Sequence, residues 1–334
     1  MNSRKVLLSW GSGGSSMHQL IKEVLLKKLN NPVLAELADS ARLTLRGRMA
    51  FSTDSFVVSP LFFPGGDIGK LAVCGTANDL VMLGAVPEYL SLAFIVEEGL
   101  DLALLERIVD SISRQAKSSR IKIVTGDFKV VEKGACDKIF INTSGIGRIV
   151  ADSDLSARSI RPTDKIIITG NIGRHGLSVL AKRKGLDFGF NIKSDCAALG
   201  DLLLPILKKV QIKFMRDPTR GGVATTLNEI AQACSLQMLI EERNLPVSSQ
   251  VKAAGELLGI EPLYIANEGI AVVICAAGDA GRVLSQLKRH PLGRRARIVG
   301  EVRKGRAGGV ILKTVMGAQR LLDMSSGEAL PRIC

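Results

Sequence analysis

Five stretches of the 334-residue chain set acidic side chains beside glycine or a cation in ways that core packing does not demand. They are Ser52-Thr53-Asp54-Ser55, Pro64-Gly65-Gly66-Asp67-Ile68-Gly69-Lys70, Thr76-Ala77-Asn78-Asp79, Thr125-Gly126-Asp127 and Arg216-Asp217-Pro218-Thr219-Arg220-Gly221-Gly222. A carboxylate at a strand end or inside an apolar helix is costly to bury unpaired, so it normally meets a cation or a metal. Several such acids converging with Lys70 and Arg220 suit magnesium and a polyphosphate, because Mg²⁺ is held by a few carboxylates together with phosphate oxygens. Separate helix caps and turns would account for any one stretch; five together favour a nucleotide site. The two familiar phosphate fingerprints are missing. Pro64 stands five residues before Gly69 and Leu71 follows Lys70, which breaks the P-loop pattern. Gly11-Ser12-Gly13-Gly14 lacks the third glycine of the dinucleotide turn. Glycine-rich stretches at 11–14, 170–176 and 221–222 can still offer backbone N–H groups to phosphate.

Positioning these acids takes a mixture of strands and single helices. Apolar spacing predicts helices over 17–29, 67–83 and 102–116, and strands over 49–58, 89–96, 121–125 and 138–149. Residues 151–164 turn polar and lose periodicity, which marks a domain boundary. Beyond it the pattern predicts a strand at 165–169, helices near 178–184 and 198–210, a helix after Gly221-Gly222, and strands at 236–240 and 270–275. The expected class is α+β or α/β rather than a helical bundle. Three units follow: 1–155, 156–321, and a mobile tail, 322–334, too short and polar to pack as an element.

Composition narrows the function classes. Hydrophobic residues are 46% and charged residues 23%, which is globular usage. No apolar run approaches the roughly 18 residues that span a bilayer, and the start is too short in apolar residues for a signal peptide, so the expectation is a cytoplasmic protein without a membrane partner. The six cysteines form no C-x-x-C pair, and Cys74, Cys234 and Cys275 sit in apolar stretches as buried small hydrophobes. The three histidines are too scattered for a zinc site. Net charge is +13, with nine Lys/Arg between Arg282 and Arg306. Aromatics are only 4% and none interleaves with that cluster, so a solvated or partner-binding face is favoured over nucleic acid.

The same motifs, with Pro60-Leu61-Phe62-Phe63-Pro64-Gly65-Gly66, Cys74-Gly75-Thr76-Ala77-Asn78-Asp79, Ala266-Asn267-Glu268-Gly269 and the ending Pro331-Arg332-Ile333-Cys334, resemble the hydrogenase maturation family HypE, in order and over almost the whole chain. The Pro-Arg-Ile-Cys end distinguishes that family from the wider aminoimidazole ribonucleotide synthetase (PurM-like) superfamily. The resemblance implies an α+β two-domain fold that dimerises through an N-terminal half-barrel, with ATP between the domains. It implies that a carbamoyl group reaches Cys334 from the carbamoyltransferase HypF. ATP then dehydrates the thiocarboxamide to a thiocyanate, whose cyano group passes to iron on a HypC–HypD complex. Asp54, Asp79, Asp127 and Asp217 are then candidates for magnesium and phosphate, with Asp67, Lys70, Asn78, Arg220, Gly221 and Gly222 around the nucleotide. Glu268 or His175 would be the base, with Glu268 preferred, and Lys129 would stabilise charge on the activated amide.

The tail chemistry is readable on physical grounds. Thirteen residues from 322 to 334 span at most roughly 40 Å, enough to swing between a partner and the chain's own site. Pro331 keeps the end extended. The terminal carboxylate should raise the Cys334 thiol pKa and Arg332 should lower it. The sequence departs from the family pattern at Trp10, Arg174 and Ile270, where histidine, aspartate and lysine are usual; Arg174 would meet phosphate or solvent. Two other readings compete. Another superfamily enzyme with a free small-molecule acceptor would leave Cys334 idle, and a non-catalytic basic adaptor would have lost turnover.

Overall fold

The computed structural model describes residues 5–11, 14–151, 154–305, 308–324 and 332–334; Ser12, Gly13, Arg306 and Pro331 lie outside the described residues. The chain opens with helix α1 (Gly14–Leu20), a π-helical stretch (Ile21–Leu26) and a last turn, α2 (Lys27–Leu29). Its first sheet has the order β1-β6-β4-β5, from β1 (Met49–Phe56), β4 (Ala85–Glu97), β5 (Lys122–Val131) and β6 (Ile139–Ile149). Only the β4–β5 pair is parallel. Strands β2 (Phe62–Phe63) and β3 (Gly66–Asp67) make a small hairpin that leads into helix α3 (Ile68–Met82). Helix α4 (Leu102–Ser118) packs against α3, capped by the Asp101 side chain.

Alternation along β1 decides which side chains meet the helix layer. Ala50, Ser52, Asp54 and Phe56 point toward α3, where Gly75 leaves room: a Cβ there would stand 2.9 Å from the Phe56 ring and 3.8 Å from Asp54 Oδ2. The intervening residues face away, and Phe51 is 68% exposed, as is Ile95 of β4 at 45%. This leaves one apolar-studded sheet face with Phe51 and Ile95 exposed.

The second sheet runs β13-β12-β9-β11-β7-β10-β8, built from β7 (Lys165–Ile168), β8 (Ile212–Arg216), β9 (Gln237–Glu241), β10 (Val272–Cys275), β11 (Arg297–Arg303), β12 (Val310–Lys313) and β13 (Gln319–Leu321). Its central strands are apolar on both faces. Ile166, Ile168, Val272 and Ile274 join one core with α7 (Gly222–Cys234). Ile167, Val273 and Cys275 join another with α6 (Gly200–Leu207) and α9 (Ala280–Lys288). Helices α5 (Arg174–Lys184) and α8 (Ser249–Leu258) close a smaller cluster around Leu177 and Val251. Val81 and Met82 of α3 enter the α6 core, so one apolar cluster joins the two sheets' layers. Burial of this continuous surface is what holds the acids of the two halves in register.

Three expectations change. The 121–125 strand extends to Val131, which puts Thr125-Gly126-Asp127 in mid-strand rather than at a strand end. Residues 322–334 are not uniformly free: Leu322 is buried, and Ile333 is 4% exposed within the first domain's core. Helices α8 and α9 and strands β11 to β13 exceed what the apolar pattern predicts. Among the described residues no helix is long and apolar enough to cross a membrane.

Candidate active site

The chain's last three residues lie along the segment that leaves β1. The amides of Val57 and Ser59 donate to the terminal carboxylate of Cys334 and the carbonyl oxygen of Arg332, at 3.0 and 3.3 Å. Arg332 returns the contact, its Nε donating to Val57 O at 3.0 Å. From α5, Arg183 donates at 2.6 Å to both Ser59 O and Arg332 O. The Arg332 side chain turns outward to Asp137 (2.9 Å) and lies 5.8 Å from the Phe140 ring centre.

His175 holds the tail from the other side. Its Nε2 is 2.9 Å from Ile333 O and its Nδ1 is 2.8 Å from Ser194 Oγ, with Phe63 edge-on at 5.3 Å. A carbonyl only accepts, so Nε2 carries the proton and Nδ1 accepts from the Ser194 hydroxyl. Complete burial lowers the imidazole pKa to about 4 against the opposing pull of the Ile333 carbonyl, so the ring is neutral. Both ring nitrogens are thus occupied in holding the chain.

Cys334 then faces charged groups from both domains. Burial, with Glu268 and Asp54 nearby, pushes its thiol up to about 12, and Arg220 pulls the other way. Arg332, expected to ease thiol ionisation, is engaged with Asp137 instead; the cation acting on the sulfur is Arg220. Glu268 is buried, and loss of solvation followed by Asp217, Asp195 and Asp54 drives its pKa well above the usual carboxylate range. Asp217 is raised to about 7 by burial and by Asp79 and Asp54. Burial also raises Asp54, which accepts from Ser55 N at 2.7 Å, and Asp79, which accepts from Ser52 Oγ at 2.7 Å. Asp54, Asp79, Asp217, Glu268 and Arg220 therefore form one electrostatically coupled group around the cysteine.

Local backbone explains why these residues converge. Gly221 and Gly222 have φ of +72° and +63°, and a Cβ on Gly222 would stand 2.5 Å from Leu263 O, so only glycine makes the turn into α7. Asn267 ties three loops together: Gly173 N donates to its Oδ1 at 2.7 Å, and its Nδ2 donates to Pro218 O and Ile265 O. Glu268 follows directly and is delivered to the cluster.

Other expected ligands have structural roles. Asp67 caps α3, accepting from Gly69 N and Lys70 N through Oδ1 and from Ser111 Oγ through Oδ2, so both oxygens are committed away from a nucleotide. Asn78 spans the domain joint, donating to Ala197 O (3.0 Å) and accepting from Leu199 N (2.8 Å). Lys70 donates to Gly65 O and lines a cavity of about 230 Å³ with Gln115 and Ala197. Asp127 and Lys129 pair with each other at 2.7 Å, half exposed on β5. Asp127 also borders an apolar cavity of about 220 Å³ lined by Met17, Ile21, Leu25, Phe94 and Phe128. Among the described residues no three His, Cys, Asp or Glu side chains form a ready-made metal cage.

Asp195 was not signalled by any motif. Its Oδ2 accepts from Glu268 N (3.1 Å) and Gly269 N (2.9 Å), and burial raises its pKa to about 6. Arg174 acts on this carboxylate, which locates the charge-reversed position of the family pattern beside Asp195. Ile270 is a core residue. Trp10 packs partly buried on the first core.

Comparison with known proteins agrees with this architecture. Residues 37–149 match the family profile of the AIR synthase related protein N-terminal domain, and 161–313 that of its C-terminal domain. The chain is 47% identical to the carbamoyl dehydratase HypE of Cupriavidus necator, over 100% of this chain and 96% of that protein. It superposes with TM-score 0.96 and 47% identity on a crystal structure of hydrogenase maturation protein HypE in complex with ATP, covering 98% of this chain and 99% of that one. A HypE–HypF complex structure matches at TM-score 0.81 and 44% identity, covering 92% and 99%.

Proposed function

The chain belongs to the carbamoyl dehydratase family HypE, with its two-domain AIR-synthase-related fold, and on that premise we propose that it dehydrates a carbamoyl group carried on its own Cys334 to a thiocyanate. The observation that carries this reading is the docking of Cys334 beside Glu268, Arg220 and the acids of both domains. A carrier sulfur belongs there only if the chemistry happens on the sulfur's cargo.

The carbamoyl oxygen is a poor leaving group until it takes the γ-phosphoryl of ATP. ADP then departs, the two nitrogen protons are removed, and phosphate leaves with the oxygen to give the S-cyano group. Glu268 acts electrostatically on the Cys334 thiol, and its pKa is raised by burial and neighbouring acids, so in its ionised form this carboxylate would accept a nitrogen proton readily. His175 is spent on holding the tail and so favours Glu268 as the base. Arg220, the cation that acts on the Cys334 sulfur, would be suited to stabilise charge on the activated oxygen. Asp54, Asp79 and Asp217, oxygen donors drawn from both domains, suit a hard cation whose shell phosphate oxygens complete; when bound, Mg²⁺ would neutralise phosphate charge. Asp127 and the apolar cavity beside it fit the nucleoside end, and Lys129 stays with Asp127 on that strand.

The reading extends to partners. A carbamoyltransferase of the HypF kind loads Cys334, and a HypC–HypD iron scaffold receives the cyano group. The sheet face with Phe51 and Ile95 exposed supports a homodimer through the first domain.

The test is the intact mass of the protein after incubation with the carbamoyltransferase, carbamoyl phosphate and ATP. A carbamoyl adduct on the C-terminal peptide that loses one water only with ATP is the expected result. An adduct that persists with ATP removes the dehydratase reading, and no adduct removes the carrier.

A further inference from the structure

Ser194, Asp195 and Cys196 form a short strap whose neighbouring residues grip two different parts of the site. Ser194 Oγ is 2.8 Å from His175 Nδ1, whose other nitrogen holds Ile333 O. Ser194 Oγ also accepts from Cys196 N at 3.0 Å, which fixes the hydroxyl. One residue on, Asp195 Oδ2 accepts the amides of Glu268 and Gly269, while Ala197 N donates to Glu268 O at 3.2 Å. The contact is too close for any side chain at Gly269: a Cβ there would lie 1.8 Å from Asp195 O. Asp195 Oδ1 is buried without a hydrogen-bond partner. A buried carboxylate oxygen left unpaired is costly, and such a cost is commonly retained at working sites. The strap itself is anchored to the first domain, since Ser194 N donates to Pro64 O at 2.7 Å.

We propose that Ser194 and Asp195 are paired positioning residues that set the Cys334 carrier and the Glu268 carboxylate in register with each other. This rests on the dehydration reading above. Ser194 acts through His175 on the tail, and Asp195 acts through the 268–269 backbone on the base. Neither residue needs to touch the cargo.

The experiment uses full-length protein and two readouts: alkylation of Cys334 by iodoacetamide, and ATP-dependent loss of water from the carbamoylated protein, both followed by mass. Ser194→Ala should raise the alkylation rate about tenfold, because losing one buried hydrogen bond frees the tail. Asp195→Ala should leave alkylation near wild type but slow water loss by about tenfold or more. Asp195→Asn keeps an oxygen for the two amides and should restore most of the lost rate. A strap that merely supports the fold would instead raise alkylation equally in both alanine variants, and that result overturns the proposal. Wild-type water loss in Asp195→Ala overturns it too. If carbamoylated wild type were inert with ATP, the dehydratase reading would fall. The register would still be decided by alkylation, where Ser194→Ala must exceed Asp195→Ala.

Discussion

His175 Nε2 lies 2.9 Å from the carbonyl oxygen of Ile333, and this one bond joins a fully buried imidazole to the residue before Cys334. Its acid–base state follows from the contact. The ring is kept neutral down to about pH 4, whereas an exposed histidine takes its proton near 6.5.

His175 is therefore expected to give a pH-dependent contribution of definite sign. With the folded pKa depressed, its stabilisation is fully present above pH 6.5 and is lost as pH falls toward 4. Thermal melting of wild type and His175→Gln across pH 4 to 7 should show a wild-type advantage that shrinks on acidification. A constant difference would mean that the ring is not held neutral.

Asp217 carries the opposite sign. Its pKa is raised to about 7, so its contribution is complete below about pH 3.8 and is lost as pH rises through 7. Asp217→Asn removes that cost. The variant should melt about 2–4 °C above wild type at pH 8 without nucleotide, a gap that closes toward pH 4. With ATP and magnesium the order should invert, since the variant loses ligand stabilisation. A variant that melts lower at pH 8 without nucleotide would contradict the charge crowding.

Tail docking should depend on Arg183 more than on Asp137. Arg183 donates to two carbonyls at 2.6 Å, one of them on the tail, whereas the Arg332–Asp137 pair is half exposed and screened. Asp137→Ala should change the Cys334 alkylation rate by less than about fivefold, and Arg183→Ala by about tenfold or more. The reverse ranking would show that the outward ion pair dominates.

The exposed face of the first sheet gives a fourth expectation. Phe51→Asp places a charge on the edge strand of that face, on the side away from Asp54 and the helix layer. Light scattering should find a dimeric wild type and a monomeric variant of normal melting temperature. A wild type that is monomeric at all accessible concentrations would remove the dimer.

Much of the site was legible because unusual acids are conspicuous. Asp54, Asp79 and Asp217 interrupt otherwise apolar or turn-forming stretches, and the structure does bring them together with Glu268. At Asp67 an N-cap and a ligand look alike in sequence, since both are an acid before a helix, and the structure shows the cap role through Gly69 N, Lys70 N and Ser111. The role of Asn78 in the domain joint could not be read from the sequence, because the other side of the joint is more than a hundred residues away. Asp195 had no local pattern at all. Its signal, had it been weighed, was an acid set between Ser194 and Cys196 where a buried stretch begins. The fold was readable where one face of an element is buried, as in β1 and α4, and less so near the end, where β12 and β13 are short.

Much of the hold on the tail is through its main chain: Val57, Ser59, Arg183 and His175 all bind main-chain oxygens of residues 332–334, beside the Arg332 side-chain contacts and the buried Ile333 side chain. A grip on the main chain is blind to what the sulfur bears. On the function proposed above, such a grip would treat the thiol, carbamoyl and cyano forms alike, so conversion of the cargo would supply no force for ejection. On that function, release of the tail would be set from outside, by the proteins that compete for the same few residues, and direction would come from ATP consumption rather than from any change in how the arm is held.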